Sequence, residues 1–243
     1  MNKKILIMVL LCVFLSLVLI CCGVNTKTIQ RMQKLEEGVS NPTTIEELEV
    51  AIEKYQSRVE DIILAQQQIG IWYKMLGSRY IDEQMYGKAL GAFQMASEYY
   101  PANPNLFYWI GVSAGFMAKQ SLDFTATGST AQKYNYLKLS EEAYLRAIEL
   151  DPKYARALYG LGVLYVFDLD EPAKAIPYLE TLLDIETKNV DGMFVLARAY
   201  YTTYEFEKAV DMYDRIIKTT TSAEKKAQAE ANKRQVLETA YEG

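Results

Sequence analysis

The side chains that most often carry out acid–base and nucleophilic chemistry are scarce in this chain. Histidine is absent from its 243 residues, which removes the commonest general base, the Ser-His and Cys-His pairs and most catalytic zinc shells. Carboxylates are present, but the pairs Glu36-Glu37 and Glu141-Glu142 are adjacent in sequence and therefore point to different parts of a helix surface. We therefore predict that the protein is not an enzyme and holds neither a metal nor a cofactor.

The three cysteines all lie in or at the end of one apolar segment near the N-terminus. Lys3 and Lys4 precede an apolar run from Ile5 to Cys22, in which Ser16 is the one clearly polar residue. A positively charged start followed by such a run is typical of an export signal. The run is long for a signal peptide and barely long enough to cross a bilayer as a helix.

The end of the apolar run distinguishes a cleaved signal from a permanent anchor. Leu19-Ile20-Cys21-Cys22 resembles the lipobox of bacterial lipoproteins, which implies a signal peptide over residues 1–21 and a diacylglycerol or palmitate modification on Cys22. An uncleaved single-span anchor is the alternative. Either reading predicts a body anchored to the cell membrane on its extracytoplasmic side, in the periplasm or at the cell surface.

The overall charge also restricts the partners. The full sequence has a formal net charge of −5, and loss of Lys3 and Lys4 with the leader makes the mature chain more negative. An acidic body is repelled by phosphate backbones. We therefore expect no nucleic-acid binding, and expect the N-terminal anchor to be the means of membrane attachment.

Most of the remaining sequence repeats with a period close to 34 residues. After Gly70, small and aromatic residues recur at fixed spacings, and the same frame returns three more times. The first copy contains Tyr73, Leu76, Gly77, Tyr80, Ala89, Phe93, Ala96 and Pro101. The third copy keeps Leu158, Leu161, Gly162 and Tyr165, but its second half (Ala175, Leu179 and Leu182) arrives one residue late.

This pattern resembles the tetratricopeptide repeat (TPR) family. The resemblance implies an all-α fold, a right-handed superhelical stack of antiparallel helical hairpins. Four repeats are predicted over 70–221, at 70–103, 104–154, 155–189 and 190–221. The second repeat carries an insertion near 118–134, which we expect to extend both of its helices by about two turns and to join them through a short polar loop at 123–129. A plain flexible loop is the alternative.

The flanking segments are predicted to close the stack. Residues 22–43 form a linker with a short helix at 28–37. Residues 44–69 form an amphipathic capping helix, because Ile45, Leu48 and Ile52 begin a 3,4-spaced apolar series. Residues 222–243 form a charged C-terminal capping helix with a thin apolar edge.

The resemblance also implies a binding surface, because partners of this family lie on the concave face lined by the first helix, helix A, of each repeat. The groove positions of the family fall here on Lys74, Ser78, Tyr108, Val112, Phe116, Tyr159, Val163, Phe167, Phe194, Arg198 and Tyr201. Aromatic anchors in a concavity favour an apolar or aromatic protein segment. Alternatively, the chain's own C-terminal helix covers these rings.

The sequence therefore predicts a membrane-anchored cell-envelope lipoprotein that serves as a scaffold for protein–protein interactions. A carrier of a hydrophobic small molecule, such as the partner of an extracytoplasmic solute receptor, is the alternative. A closed cavity sealed by the insertion would favour the carrier, whereas an open trough would favour a bound protein segment.

Overall fold

The computed structural model describes residues 42–121 and 130–242. These residues fall into two compact units that divide between Ile63 and Leu64. Nine α-helices and one π-helical turn make up the regular structure of the described ranges. The helices are α1 (Ile45–Asp82), α2 (Tyr86–Tyr99), α3 (Pro104–Gln120), α4 (Thr130–Leu150), α5 (Ala155–Val163), α6 (Pro172–Ile185), α7 (Val190–Thr202), α8 (Phe206–Thr219) and α9 (Ala223–Glu242).

Within the unit that begins at Leu64, helices pack in sequential order. From α2 onward each helix contacts the next, and the first helices of successive repeats also touch, α3 with α5 and α5 with α7. The predicted all-α class and the stack of antiparallel helical hairpins are confirmed. No helix within the described ranges is both long and apolar enough to cross a bilayer.

Small residues allow the paired helices to approach closely. A Cβ on Gly77 would lie 2.8 Å from the Phe93 ring, and one on Gly111 would lie 2.7 Å from the Tyr144 ring. Both rings are buried, at 0% and 7% exposure. Gly77 and Gly111 are therefore sites where a ring from the second helix, helix B, packs against the backbone of helix A. At Gly162 the helix B side chain in this place is Leu179.

The helix ends follow from local signals. Asn103 accepts a hydrogen bond from the Asn105 amide at 3.1 Å, with Pro104 at the first position of α3, and Asn189 accepts one from the Gly192 amide at 2.8 Å. These are side-chain N-caps that satisfy amides without an intrahelical partner.

Three hairpin turns share one backbone device. Gln84, Asp170 and Tyr204 have φ values of 57°, 55° and 63°, and each stands two residues before a helix B. The amide that follows donates to a carbonyl five residues earlier in two of the turns, Met85 to Tyr80 and Glu205 to Tyr200, both at 2.8 Å. In the third turn it donates to a carbonyl six residues earlier, Glu171 to Tyr165 at 2.8 Å. This left-handed closure, usually made by glycine, ends helix A and turns the chain into helix B.

The extra residue of the third repeat is absorbed by a π-helical turn. Residues Leu164–Asp168 form this turn at the end of α5. The turn contains Tyr165 and precedes the late-arriving Ala175. A π-turn accommodates one additional residue without breaking the helix. Phe167, on this turn, is 59% exposed.

One predicted boundary differs from the structure, and one predicted helix extension agrees with it. The capping helix expected at 44–69 is not a separate element, because Ile45–Asp82 is one continuous helix. Gly70 is buried against Tyr99 and Tyr100, and a glycine without a neighbouring proline or cap weakens a helix but does not end it. The insertion lengthens α4 by two turns, to 21 residues against 14 in α8.

The other side of the insertion is extended less. Helix α3 has 17 residues against 13 in α7, so that it gains about one turn rather than two. The expected loop at 123–129 and the short helix at 28–37 lie outside the described residues, as do the signal peptide and Cys22.

Candidate functional site

The groove residues predicted on α3, α5 and α7 line two neighbouring depressions. Because the first helices of successive repeats are in contact, their exposed side chains form one continuous surface. Tyr159 lines both depressions. The larger has a volume of about 440 Å³ and the smaller about 220 Å³.

The larger depression, called here the aromatic trough, lies between α7, the end of α5 and the final helix α9. Four of the predicted groove residues line it in addition to Tyr159. They are Phe167, Phe194, Arg198 and Tyr201. Its volume lies in the range of pockets that hold a drug-sized ligand or a few side chains of a peptide.

Helix α9 forms the opposite wall of the aromatic trough. Its contribution is mostly polar, with one apolar residue. The wall residues are Lys225, Gln228, Asn232, Gln235 and Val236. The alternative was that the C-terminal helix covers the groove. Helix α9 lies beside the groove and forms one wall of the trough, but it leaves a cavity of about 440 Å³ between the helices.

Charged groups lie around the rim of the aromatic trough. Lys225 Nζ and Asp191 Oδ1 form an ion pair at 2.6 Å that joins α9 to α7. The Arg198 guanidinium lies 5.5 Å from the centre of the Tyr201 ring, in cation–π geometry. The Asp191–Lys225 pair offsets its own charge, so the Arg198 guanidinium is the group best placed to meet an anionic group on a ligand.

Burial changes the pKa values of the phenols that line the aromatic trough. It raises the pKa of Tyr213, and a hydrogen bond from Asn232 and the positive charge of Arg198 oppose the increase. It also raises the pKa of Tyr159, where Asp191 adds to the effect and Lys225 opposes it. These phenols are therefore neutral over the physiological range, and act as hydrogen-bonding and apolar surfaces rather than as acids.

The smaller depression lies between α3, α4 and α5. It is lined by four of the predicted groove residues, Tyr108, Val112, Phe116 and Val163. Phe116 stacks on Tyr86 with ring centres 4.2 Å apart and an interplanar angle of 9°, and Tyr108 packs at 6.2 Å from Tyr144. Its rings are thus partly engaged within the protein.

Two predicted groove residues stand apart from both depressions. Lys74 and Ser78 are exposed on α1, and neither of them lines either depression. The Ser78 hydroxyl donates to the Lys74 carbonyl at 3.2 Å within the same helix. The first repeat therefore contributes no wall to the candidate site.

The wall residues of α9 were not predicted from the sequence. Gln228, Asn232 and Gln235 follow 3,4 spacing, but polar residues at that spacing also describe a solvent-exposed face. The sequence signal that could have placed them is the apolar pair Ala229 and Val236, seven residues apart on α9. In the structure these two residues are 0% and 2% exposed. These small apolar residues fix which edge of α9 meets the repeats, and hence which polar residues face the trough.

Comparison with known proteins identifies the repeat family. Family models for the TPR repeat and the tetratricopeptide repeat match residues 140–166 and 166–230. A TPR repeat-containing protein of Borreliella burgdorferi is 24% identical over 197 residues, which cover 81% of this chain and 83% of the relative. The matched segment, residues 140–230, therefore consists of tetratricopeptide repeats, as the residue pattern predicted.

Solved structures share its fold. YrrB, described as a TPR protein with an unusual peptide-binding site, is 20% identical with a TM-score of 0.53, over 86% of this chain and 98% of that chain. MamA is also 20% identical with a TM-score of 0.53, over 76% and 98%. At this identity the likeness concerns the fold alone.

Proposed function

We propose that the protein is an extracytoplasmic, lipid-anchored scaffold that binds an extended segment of a partner protein in the aromatic trough. The observation that carries the proposal is the cavity of about 440 Å³ floored by Phe194 and Tyr213 and walled by a second helix. Large aromatic side chains lose few rotamers on binding and offer broad contact surfaces, so they serve as anchors in protein interfaces.

The chemistry of the trough restricts the partner. Phe167, exposed at the rim, and Phe194, in the floor, favour an apolar or aromatic side chain of the bound segment. The polar groups of α9, such as Asn232 and Gln235, can hydrogen-bond to the backbone of that segment. Arg198 favours a carboxylate beside the apolar anchor.

Two further observations support a bound protein segment over a small hydrophobic cargo. The lining of the trough comes from α5, α7, α8, α9 and the π-turn, so within the described residues the insertion does not seal it. The fold-related protein YrrB is described as having a peptide-binding site. The carrier function predicts instead that a lipid-like molecule co-purifies with the chain, which mass spectrometry of an organic extract would detect.

The binding proposal is tested by quantitative capture of cross-linked partners from intact cells. We expect Phe167→Ala combined with Arg198→Ala to reduce recovery of the principal partner at least tenfold, because both side chains point into the trough and neither is buried. Tyr204→Ala is the matched control, since this aromatic residue is 81% exposed and lies in a turn outside the trough.

Two results of this comparison would contradict binding in the aromatic trough. Equal recovery with the trough variant and the wild type would exclude the aromatic trough as the binding site. Equal losses in the trough variant and in Tyr204→Ala would show a general effect of surface change. Circular dichroism of both variants should retain the helical signal of the wild type.

The membrane anchor is tested separately. Radiolabelled palmitate should enter the wild-type chain and Cys21→Ser, because serine is a small residue that suits the position before the modified cysteine. It should not enter Cys22→Ser. Labelling of Cys22→Ser at the wild-type level would remove the lipoprotein assignment, and would leave the trough proposal untouched.

A further inference from the structure

The helix α1 carries two apolar faces in the unit that begins at Leu64. One face forms the core of the first repeat, where Tyr73, Tyr80 and Ile81 pack with the buried Phe93 cluster and Gly70 and Gly77 meet aromatic rings of the next helix. A helix at the end of a stack needs one such face. The residues on its other side should therefore be polar if that side faces water.

The other side of α1 is apolar instead. Six large hydrophobic side chains are exposed there, and they form what we call the outer face. They are Leu64 (62% exposed), Ile69 (36%), Ile71 (42%), Trp72 (60%), Met75 (58%) and Leu76 (41%). At 100° per residue they occupy an arc of about 160°, roughly opposite the core-facing side chains. The polar residues within this arc are Gln68, Arg79 and Asp82, and the last two form an exposed ion pair at 3.8 Å.

The size of the outer face is that of an interface. Together the six residues expose the equivalent of about three whole large side chains, which is on the order of 600 Å². The largest apolar patch on an ordinary monomer is about 300–600 Å², and larger patches mark interaction sites. Two copies of this face would bury about 1,200 Å² in all, which reaches the lower limit of specific protein–protein interfaces.

The two ends of the stack differ in polarity, and this difference selects the mode of association. Helix α9 has its apolar residues Ala229 and Val236 buried, while its outward side presents Glu230, Arg234 and Glu238. Placing the outer face of one copy on α9 of another would bury these charges, at a high cost in solvation. Placing it on the outer face of a second copy buries apolar surface on both sides.

We propose that the outer face of α1 binds the same face of a second copy of this chain, so that two stacks join by their N-terminal ends in a two-fold symmetric dimer. Such an interface uses one patch twice and is closed, which limits the assembly to two copies. The dimer leaves the trough residues Phe167 and Phe194 free, since they lie on other elements. This inference is independent of the proposed function.

The test uses the full-length chain in the membrane of cells that produce it with two different epitope tags. The photo-cross-linking residue p-benzoylphenylalanine replaces Trp72, whose side chain is 60% exposed, so that no core contact is lost. The same residue at Tyr204, which is 81% exposed, is the matched control. Irradiation should give an adduct at twice the mass of one chain that carries both tags, from position 72 and not from position 204.

A charge placed in the outer face gives a second readout without the cross-linker. Met75→Glu should abolish co-purification of the two tagged forms, while Tyr204→Glu should leave it at the wild-type level. The proposal is overturned if position 72 gives no doubly tagged adduct, if it cross-links within its own chain or to a different protein, or if Met75→Glu co-purifies as the wild type does.

Discussion

Replacing Gly77 by alanine tests whether helix contacts through small residues stabilise the stack. A Cβ at this position would lie 2.8 Å from the Cε1 and Cζ atoms of Phe93, a ring that is 0% exposed. Gly91→Ala is the matched control. It lies in the helix that carries Phe93, and a Cβ there would have no neighbour within 4 Å.

The two substitutions share one energetic contribution and differ in another. Each replaces glycine in a helix interior, which stabilises the helix by about 1 kcal/mol. Overpacking against a buried ring costs about 1–3 kcal/mol, and it applies to Gly77→Ala alone. We therefore expect Gly91→Ala to be stabilising and Gly77→Ala to be less stable than Gly91→Ala by about 1–3 kcal/mol.

Thermal unfolding followed by circular dichroism at 222 nm measures the difference. For a domain of this size, 1 kcal/mol corresponds to about 2–4 °C, so the two midpoints should differ by about 2–12 °C. Because repeat proteins unfold in parts, the comparison uses midpoints measured in the same buffer. An increase in the midpoint for Gly77→Ala as large as that for Gly91→Ala would refute the close contact between the two helices.

Two other substitutions follow from single contacts. Tyr200 donates a hydrogen bond to Glu180 at 2.6 Å, so Tyr200→Phe should lower the free energy of unfolding by about 0.5–1.5 kcal/mol at pH 7. Burial and the bond to Glu180 raise the pKa of the Tyr200 phenol above its ordinary value. The unfolded phenol ionises near pH 10 while the folded one stays neutral, so the wild type loses stability above pH 10. The difference in unfolding free energy between the wild type and Tyr200→Phe should therefore be smaller at pH 10.5 than at pH 7, as urea titrations would measure. An equal difference at the two pH values would contradict this assignment. Gln84→Gly should raise the thermal midpoint by an amount equivalent to roughly 0.5–1 kcal/mol, because Gln84 has a φ of 57°, a conformation that glycine adopts without steric strain; a lower midpoint would contradict it.

The repeat pattern predicted the stack because it depends on local spacing. Tyr165 and Tyr200, at equivalent places in two repeats, donate to Glu141 and Glu180 of the preceding helix B at 2.7 and 2.6 Å. A signature that places the same residue in the same frame thus places the same contact at each junction. The all-α class and the hairpin order follow from this regularity.

The features that the sequence did not predict are those for which two local conformations have similar energies. The late arrival of Ala175 is compatible with a longer turn or with a π-turn, and packing selected the π-turn at Leu164–Asp168. The absence of a break at Gly70 reflects a balance between glycine's weak helix propensity and its contact with Tyr99 and Tyr100. Neither balance can be read from spacing alone.

The candidate site was predicted in part for a similar reason. Tyr159, Phe194 and Arg198 line the trough on helices that repeat the family frame, so their positions could be transferred. The wall formed by Asn232 and Gln235 belongs to α9, which lies outside the repeats. Its orientation depends on tertiary packing through Ala229, and a polar helix face gives no signal that distinguishes a cavity from solvent.

The most direct test of partner binding is photo-cross-linking from inside the aromatic trough. p-Benzoylphenylalanine in place of Phe167, which is 59% exposed on the π-turn, should cross-link in living cells to one partner protein. Mass spectrometry should locate the adduct in a partner segment that carries an aromatic or aliphatic side chain beside a carboxylate. Cross-links confined to the chain itself, or the same products from position 204, would contradict binding in the trough.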